Sequence, residues 1–178
     1  MREPVVPQLE GAEFLSWEAR QAERYELHHG FVVAFAGGSA AHSLIATNAL
    51  LALRRAFPPP CRVFNSDFKI EVSPSTYYYP DVSVVCRETS DAMTVSRSPR
   101  AVVEVLAERT RSYDTIDKRA AYRTVPSLEA YALIDSERRR VELDRRIAGT
   151  WQTSVVGETC TLGETLVTVD DLYDGTSL

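Results

Sequence analysis

Two periodicities divide the chain. Residues 11–24 predict a short helix with Phe14, Leu15 and Trp17 as candidates for its apolar side. Tyr25-Glu26-Leu27 leads into a turn at His28-His29-Gly30, and 31–35 predict a strand. Gly37-Gly38-Ser39 breaks that strand and places Ser39 to cap a helix over 40–57, which Pro58-Pro59-Pro60 stops because proline lacks the amide donor a helix interior requires. In 61–72, Phe68, Ile70 and Val72 alternate with Lys69 and Glu71, the period of a half-buried strand, so a long strand is predicted there. The near-continuous apolar runs 81–86 and 101–106 predict central strands covered on both faces, separated by a polar loop over 87–100. A helix over 112–125 ends at Pro126, 131–135 predict a strand, and 141–147 with 151–156 predict an edge hairpin turning at Gly149. One helical turn is expected at 170–173. The order α-β-α-β-β-β-α-β and then a hairpin defines an α/β (α+β) chain: a mixed sheet flanked by helices, with a C-terminal β-hairpin.

The length of 178 residues suits one domain, 1–178, and 44% hydrophobic with 25% charged residues is ordinary globular composition. No apolar run approaches the roughly 18 residues that a bilayer span needs. The first fourteen residues carry prolines and acids where a secretion signal would carry a basic patch and an apolar stretch, so a cytoplasmic protein without membrane partners is expected. Cys61, Cys86 and Cys160 have no zinc-type spacing and are expected as reduced, buried thiols. The net charge of −5 works against a global attraction to nucleic acid, which depends on phosphate neutralisation by Lys and Arg. The dense basic stretch Arg138-Arg139-Arg140 with Arg145-Arg146 is expected to be a solvated hairpin face.

Charge in the wrong place is more informative. Glu104 lies within Ala101-Val102-Val103-Glu104-Val105-Leu106, where an unpaired carboxylate would cost several kcal/mol on the order of an uncompensated buried charge. Asp81 follows Pro80 at the mouth of another apolar strand and shares its face with Ser83 and Val85. If the two strands are neighbours, both carboxylates can address one cavity, the hard-oxygen setting that Mg²⁺ or Mn²⁺ prefers. Asp114, Lys118 and Tyr122 recur every fourth residue on the following helix. Taken alone, Asp114 and Lys118 are an ordinary surface pair; beside two buried acids, Lys118 can serve charge development on a phosphate.

Several stretches, in order, resemble the Uma-type family of restriction endonucleases. These are the run 24–33 (Arg-Tyr-Glu-Leu-His-His-Gly-Phe-Val-Val), His42 opening a helix, Pro80-Asp81-Val82, Val103-Glu104-Val105-Leu106, Asp114 through Lys118 to Tyr122, Val125-Pro126 and Leu133-Ile134-Asp135. The resemblance implies a restriction-endonuclease-like, PD-(D/E)XK fold, with Asp81 and Glu104 as metal-binding acids. In the general motif a lysine follows the second acid by two positions. Leu106 stands there, so the resemblance passes the lysine's role to Lys118.

The resemblance also implies that Glu26, an acid of the first helix, reaches a second metal; an exposed acid near a helix end is the alternative. His42 and Tyr122 are candidates for substrate contact, although a helix-start histidine also serves local hydrogen bonds. Tyr77-Tyr78-Tyr79 could stack on bases, or pack. The expected function is metal-dependent hydrolysis of DNA phosphodiester bonds, with a homodimer as a further expectation. The alternatives are a catalytically idle module that binds or regulates, with the three charges only an ion network, and hydrolysis of another phosphoester.

Overall fold

A computed structural model describes residues 8–35, 37–87, 90–163 and 165–178. The N-terminal stretch read for a leader lies, through residue 7, outside the described residues. The helix α1 (Gly11–Glu18) precedes a hairpin of β1 (Tyr25–His28) and β2 (Phe31–Ala34), and α2 (Ala40–Ala56) follows. Next come β3 (Arg62–Asn65), β4 (Lys69–Ser73), β5 (Thr76–Tyr78), β6 (Val82–Val85), β7 (Val95–Ser96) and β8 (Pro99–Leu106). A π-helical segment (Tyr113–Lys118) runs into α3 (Arg119–Tyr122). The chain closes with β9 (Ala130–Asp135), β10 (Val141–Ile147), β11 (Thr150–Val156), β12 (Thr159–Leu162), β13 (Thr165–Thr168) and α4 (Val169–Tyr173).

The class is the expected α+β, built from more than one sheet. A six-stranded sheet has the order β11-β10-β9-β8-β6-β3, a five-stranded sheet has the order β2-β1-β5-β4-β7, and β12-β13 form a ribbon. In the six-stranded sheet only β8 and β9 run parallel, joined by the π-helical segment and α3. One of its faces buries Val82, Val84, Val103 and Val105 under α2, whose Ile45, Ala49 and Leu53 turn inward. The other packs Val85, Val102 and Leu106 against Tyr122, Leu128 and Tyr131. Double coverage is what the unbroken valine runs encode.

Several expectations need correction. The helix predicted over 11–24 ends at Glu18, and Tyr25-Glu26-Leu27 belongs to a strand. The long strand predicted over 61–72 is two strands in different sheets, because Asn65 Oδ1 accepts a hydrogen bond from Asp67 N (3.1 Å) and turns the chain between them. Ser39 caps α2 as expected, accepting from His42 N at 3.2 Å. Cys61 and Cys86 form a disulfide at the outer edge of the six-stranded sheet. Only Cys160 is a free, buried thiol, which removes the cysteine argument for a reducing compartment. The arginine stretch is solvated at Arg138, Arg139 and Arg140, as expected, and half-buried at Arg145 and Arg146, and its guanidiniums are engaged. Arg138 pairs with Asp135, Arg139 with Asp170 and Arg140 with Glu142, while Arg145 and Arg146 donate to backbone carbonyls. Among the described residues no helix is long and apolar enough to cross a membrane.

Candidate active site

Strands from both large sheets meet at Tyr79-Pro80-Asp81, the link between β5 and β6. Because β6 and β8 are antiparallel with Val82 opposite Val103, Asp81 stands one step further on, level with Glu104. Asp81 Oδ2 accepts from Val105 N at 2.7 Å, which pins its carboxylate to the neighbouring strand. The five-stranded sheet contributes Glu26 from β1, the π-helical segment contributes Asp114 and Lys118, and the first turn of α2 contributes His42. All six side chains line one narrow cleft of about 80 Å³.

Lys118 is its hub. Its Nζ lies 2.8 Å from Glu26 Oε1, 3.3 Å from Glu104 Oε1 and 3.6 Å from Asp114 Oδ1, with the rings of Tyr78 and Tyr113 about 5.3 and 5.4 Å away. The wide π turn lets Tyr113, Asp114 and Lys118 all face inward while Ile116 is 65% exposed. His42 Nε2 approaches Asp81 Oδ2 at 3.4 Å. A side chain on Gly38 would meet the His42 ring at 2.4 Å, so glycine is required for His42 to sit where it does.

The electrostatics follow from the count. Four carboxyl groups share one ammonium and one imidazole. Burial raises the Glu104 pKa well above its ordinary value; Lys118 opposes this, but Asp114, Asp81 and Glu26 add to it. Burial likewise raises Glu26 and Asp114 despite Lys118. Burial works against the charge on Lys118, yet Glu104, Glu26 and Asp114 outweigh it and hold its pKa well above that of an ordinary lysine. Burial also works against protonation of His42, but the hydrogen bond to Asp81 and the Asp81 charge prevail and favour the imidazolium. The cleft therefore holds more carboxyl groups than its own cations can keep ionised.

A divalent cation fits this donor chemistry. Among the described residues, Asp81 Oδ1 and Glu104 Oε2 accept no hydrogen bond, leaving two hard oxygens at strand positions that lie level with one another. Among the described residues no group of three or more His, Cys, Asp and Glu side chains is gathered closely enough to form a complete ligand set. A cation held there would keep water or substrate oxygens in its shell.

Asp81, Glu104, Lys118, Glu26 and His42 are thus brought together, with Glu26 on a buried strand rather than on the first helix or at an exposed helix end. Tyr122 is not at the cleft. It is fully buried, its ring 5.3 Å from that of Tyr78 and 5.2 Å from that of Tyr131, so it packs the core instead of meeting substrate. Tyr77, Tyr78 and Tyr79 are buried as well, and base stacking is closed to them. Asp114 was visible in the sequence as the helical partner of Lys118 and as part of the family-like stretch, but not as a residue of the site. The backbone amide of Tyr79, which donates to Glu26 Oε1 at 2.9 Å, left no signal in the sequence.

Fold and cleft together define an α+β protein of restriction-endonuclease-like architecture. A crystal structure described as "a putative nuclease belonging to DUF820", from Anabaena variabilis, superposes with a TM-score of 0.75, covering 93% of this chain and 97% of that one at 17% identity. The chain belongs to the Uma2 family, described as "Putative restriction endonuclease", whose model matches residues 12–175. Among its relatives are two uncharacterized proteins of Synechocystis sp. One is 38% identical over 144 residues, 78% of this chain and 73% of the relative. The other is 33% identical over 143 residues, 75% of this chain and 78% of the relative.

Proposed function

We propose that the protein is a metal-dependent endonuclease hydrolysing DNA phosphodiester bonds at the cleft of Asp81, Glu104 and Lys118. The observation that carries the reading is the surplus of buried carboxylate at positions brought level by the β6–β8 register, together with family membership. Asp81 and Glu104 would hold Mg²⁺ or Mn²⁺, and Glu26 would tune a second ion. A bound divalent ion would lower the pKa of water and neutralise phosphate charge.

The chain's own residues supply the rest. Glu26, Glu104 and Asp114 fix Lys118 as an ammonium, and that charge faces the cleft where negative charge grows on the phosphate oxygens. The hydrogen bond from Val105 N orients Asp81, and His42, favouring its charged form, can donate to a phosphate oxygen. Two such clefts in one assembly would allow both strands to be cut in a single encounter. β11, the outermost strand of the six-stranded sheet, pairs only with β10 among the described residues and offers an edge for a homodimer.

Plasmid cleavage in Mg²⁺ or Mn²⁺ tests the reading. Glu104→Gln is expected to lower the rate by about 10²–10³, the range for removal of one electrostatic group from a catalytic site. Equal cleavage by both proteins would end the enzyme reading for DNA. A catalytically idle binding module remains the second reading, favoured by the ion pairs that already engage Lys118, and it predicts DNA binding without cleavage.

A further inference from the structure

A spacious concavity lies remote from the cleft. It measures about 660 Å³ and lies at the other end of the six-stranded sheet, among the start of β8, the connection into β9 and the β10–β11 turn. Arg100 is four residues before Glu104 on β8, so the two regions are separated by roughly 13 Å along the strand. Three guanidiniums line the concavity, from Arg87, Arg100 and Arg146, against one carboxylate, Glu129. In a chain of net charge −5 this is a local reversal of sign.

Two of the three guanidiniums are already held in place. Arg146 donates to the carbonyls of Pro126, Arg123 and Val125 (2.7–2.9 Å) and lies 4.7 Å from the Trp151 ring centre. Arg100 donates Nε to Glu129 at 2.9 Å and lies over the Phe57 ring. A guanidinium carries five N–H donors, so each keeps unused ones. Arg87 is exposed and makes no ion pair with any described residue. Ser98 also lines the concavity, and its buried Oγ has no hydrogen-bond partner among the described residues; the Ser127 hydroxyl donates to Pro99 O and can still accept. Prepositioned donors with an orphaned hydroxyl suit an anion with several oxygens, and the fork of arginine matches phosphate.

We propose that this concavity is a second site, which binds the phosphoryl groups of a small phosphorylated ligand through Arg87, Arg100 and Arg146. The three guanidiniums line a single concavity of about 660 Å³, a volume that suits a compact anion. The site stands independently of the endonuclease reading. The test is calorimetric titration of chelator-treated protein with pyrophosphate, against sodium chloride of equal ionic strength. The expected result is saturable binding, weakened about tenfold or more by Arg87→Ala and again by Arg100→Ala, as the loss of a charge-assisted hydrogen bond implies. Binding should be unchanged in Glu104→Gln. Arg87 is exposed, so its replacement leaves the fold intact. No binding beyond the salt control, binding that survives both arginine replacements, or binding lost in Glu104→Gln would overturn the proposal. So would displacement of pyrophosphate by a 5′-phosphorylated strand but not by its 5′-hydroxyl counterpart.

Discussion

Lys118 and Arg119 are consecutive residues that enter opposite kinds of charge cluster. Lys118 turns into the cleft, where one ammonium answers three acids in direct reach and a fourth nearby. Arg119 turns to β10 and joins Arg123 on Asp144, with Glu142 beside it and Arg140 completing the set. Asp144 is as inaccessible as Glu104, yet their pKa values move in opposite directions. Burial alone would raise Asp144, but hydrogen bonds from Arg119 and Thr153, with the charges of Arg119 and Arg123, bring it below the ordinary value. Two features separate the clusters: the bases around Asp144 are partly exposed while Lys118 is buried, and they outnumber the acids they answer. A balanced cluster serves the fold, whereas an acid surplus is tolerable when a cation from solution completes it.

The largest effect should come from removing the only ammonium at the cleft. Lys118→Ala leaves Glu26, Glu104 and Asp114 facing one another, and is expected to cost about 3–5 kcal/mol at neutral pH, the range for a broken buried pair. Urea unfolding would measure it. The same chemical change, acid to amide, should then give opposite results in the two clusters. Asp144→Asn is expected to lose about 2–3 kcal/mol, below the fully buried range because its arginines are partly exposed. Glu104→Gln in metal-free buffer should be neutral or stabilising by up to about 1–2 kcal/mol, the stability otherwise given up at a strained site. A comparable loss in both variants would erase the distinction between the clusters.

A smaller effect concerns pH. The folded pKa values of Asp135, Asp144 and Glu142 are depressed: burial opposes the shift, and hydrogen bonds and charge from Arg111, Arg138, Arg119 and Arg140 prevail. Such groups add stability above their unfolded values, about 3.9 for Asp and 4.3 for Glu, and lose it as the pH falls through the lowered folded values. Melting curves below about pH 4 should therefore fall less steeply for Asp144→Asn than for the unaltered protein.

How much of this was legible depended on whether a residue contradicted its neighbours. Asp81 and Glu104 stood out because carboxylates among valines need compensation, and the β6–β8 register brings them level. Lys118 could be read only through its spacing from Asp114 and through the family likeness; its reach to Glu26 and Glu104 is a property of the π-helical turn, which no local periodicity announces. Glu26 was misplaced because Tyr-Glu-Leu-His is too short to establish a period, although the turn after it was legible at His28-His29-Gly30, where His29 and Gly30 take φ of 48° and 87°. The alternation of 61–72 concealed a sheet change at Asn65-Ser66-Asp67, although the Asx turn was written there. The short strands β12 and β13 and the packing of Tyr122 depend on tertiary neighbours that sequence alone does not supply.

The most direct measurement is a titration of the chelator-treated protein with Mn²⁺, followed by melting temperature, for the unaltered chain, Glu104→Gln and Asp144→Asn. The acid surplus predicts a saturable rise in the unaltered chain and in Asp144→Asn, abolished in Glu104→Gln. No rise in any of the three, or an equal rise in all, would contradict a cation site at the cleft.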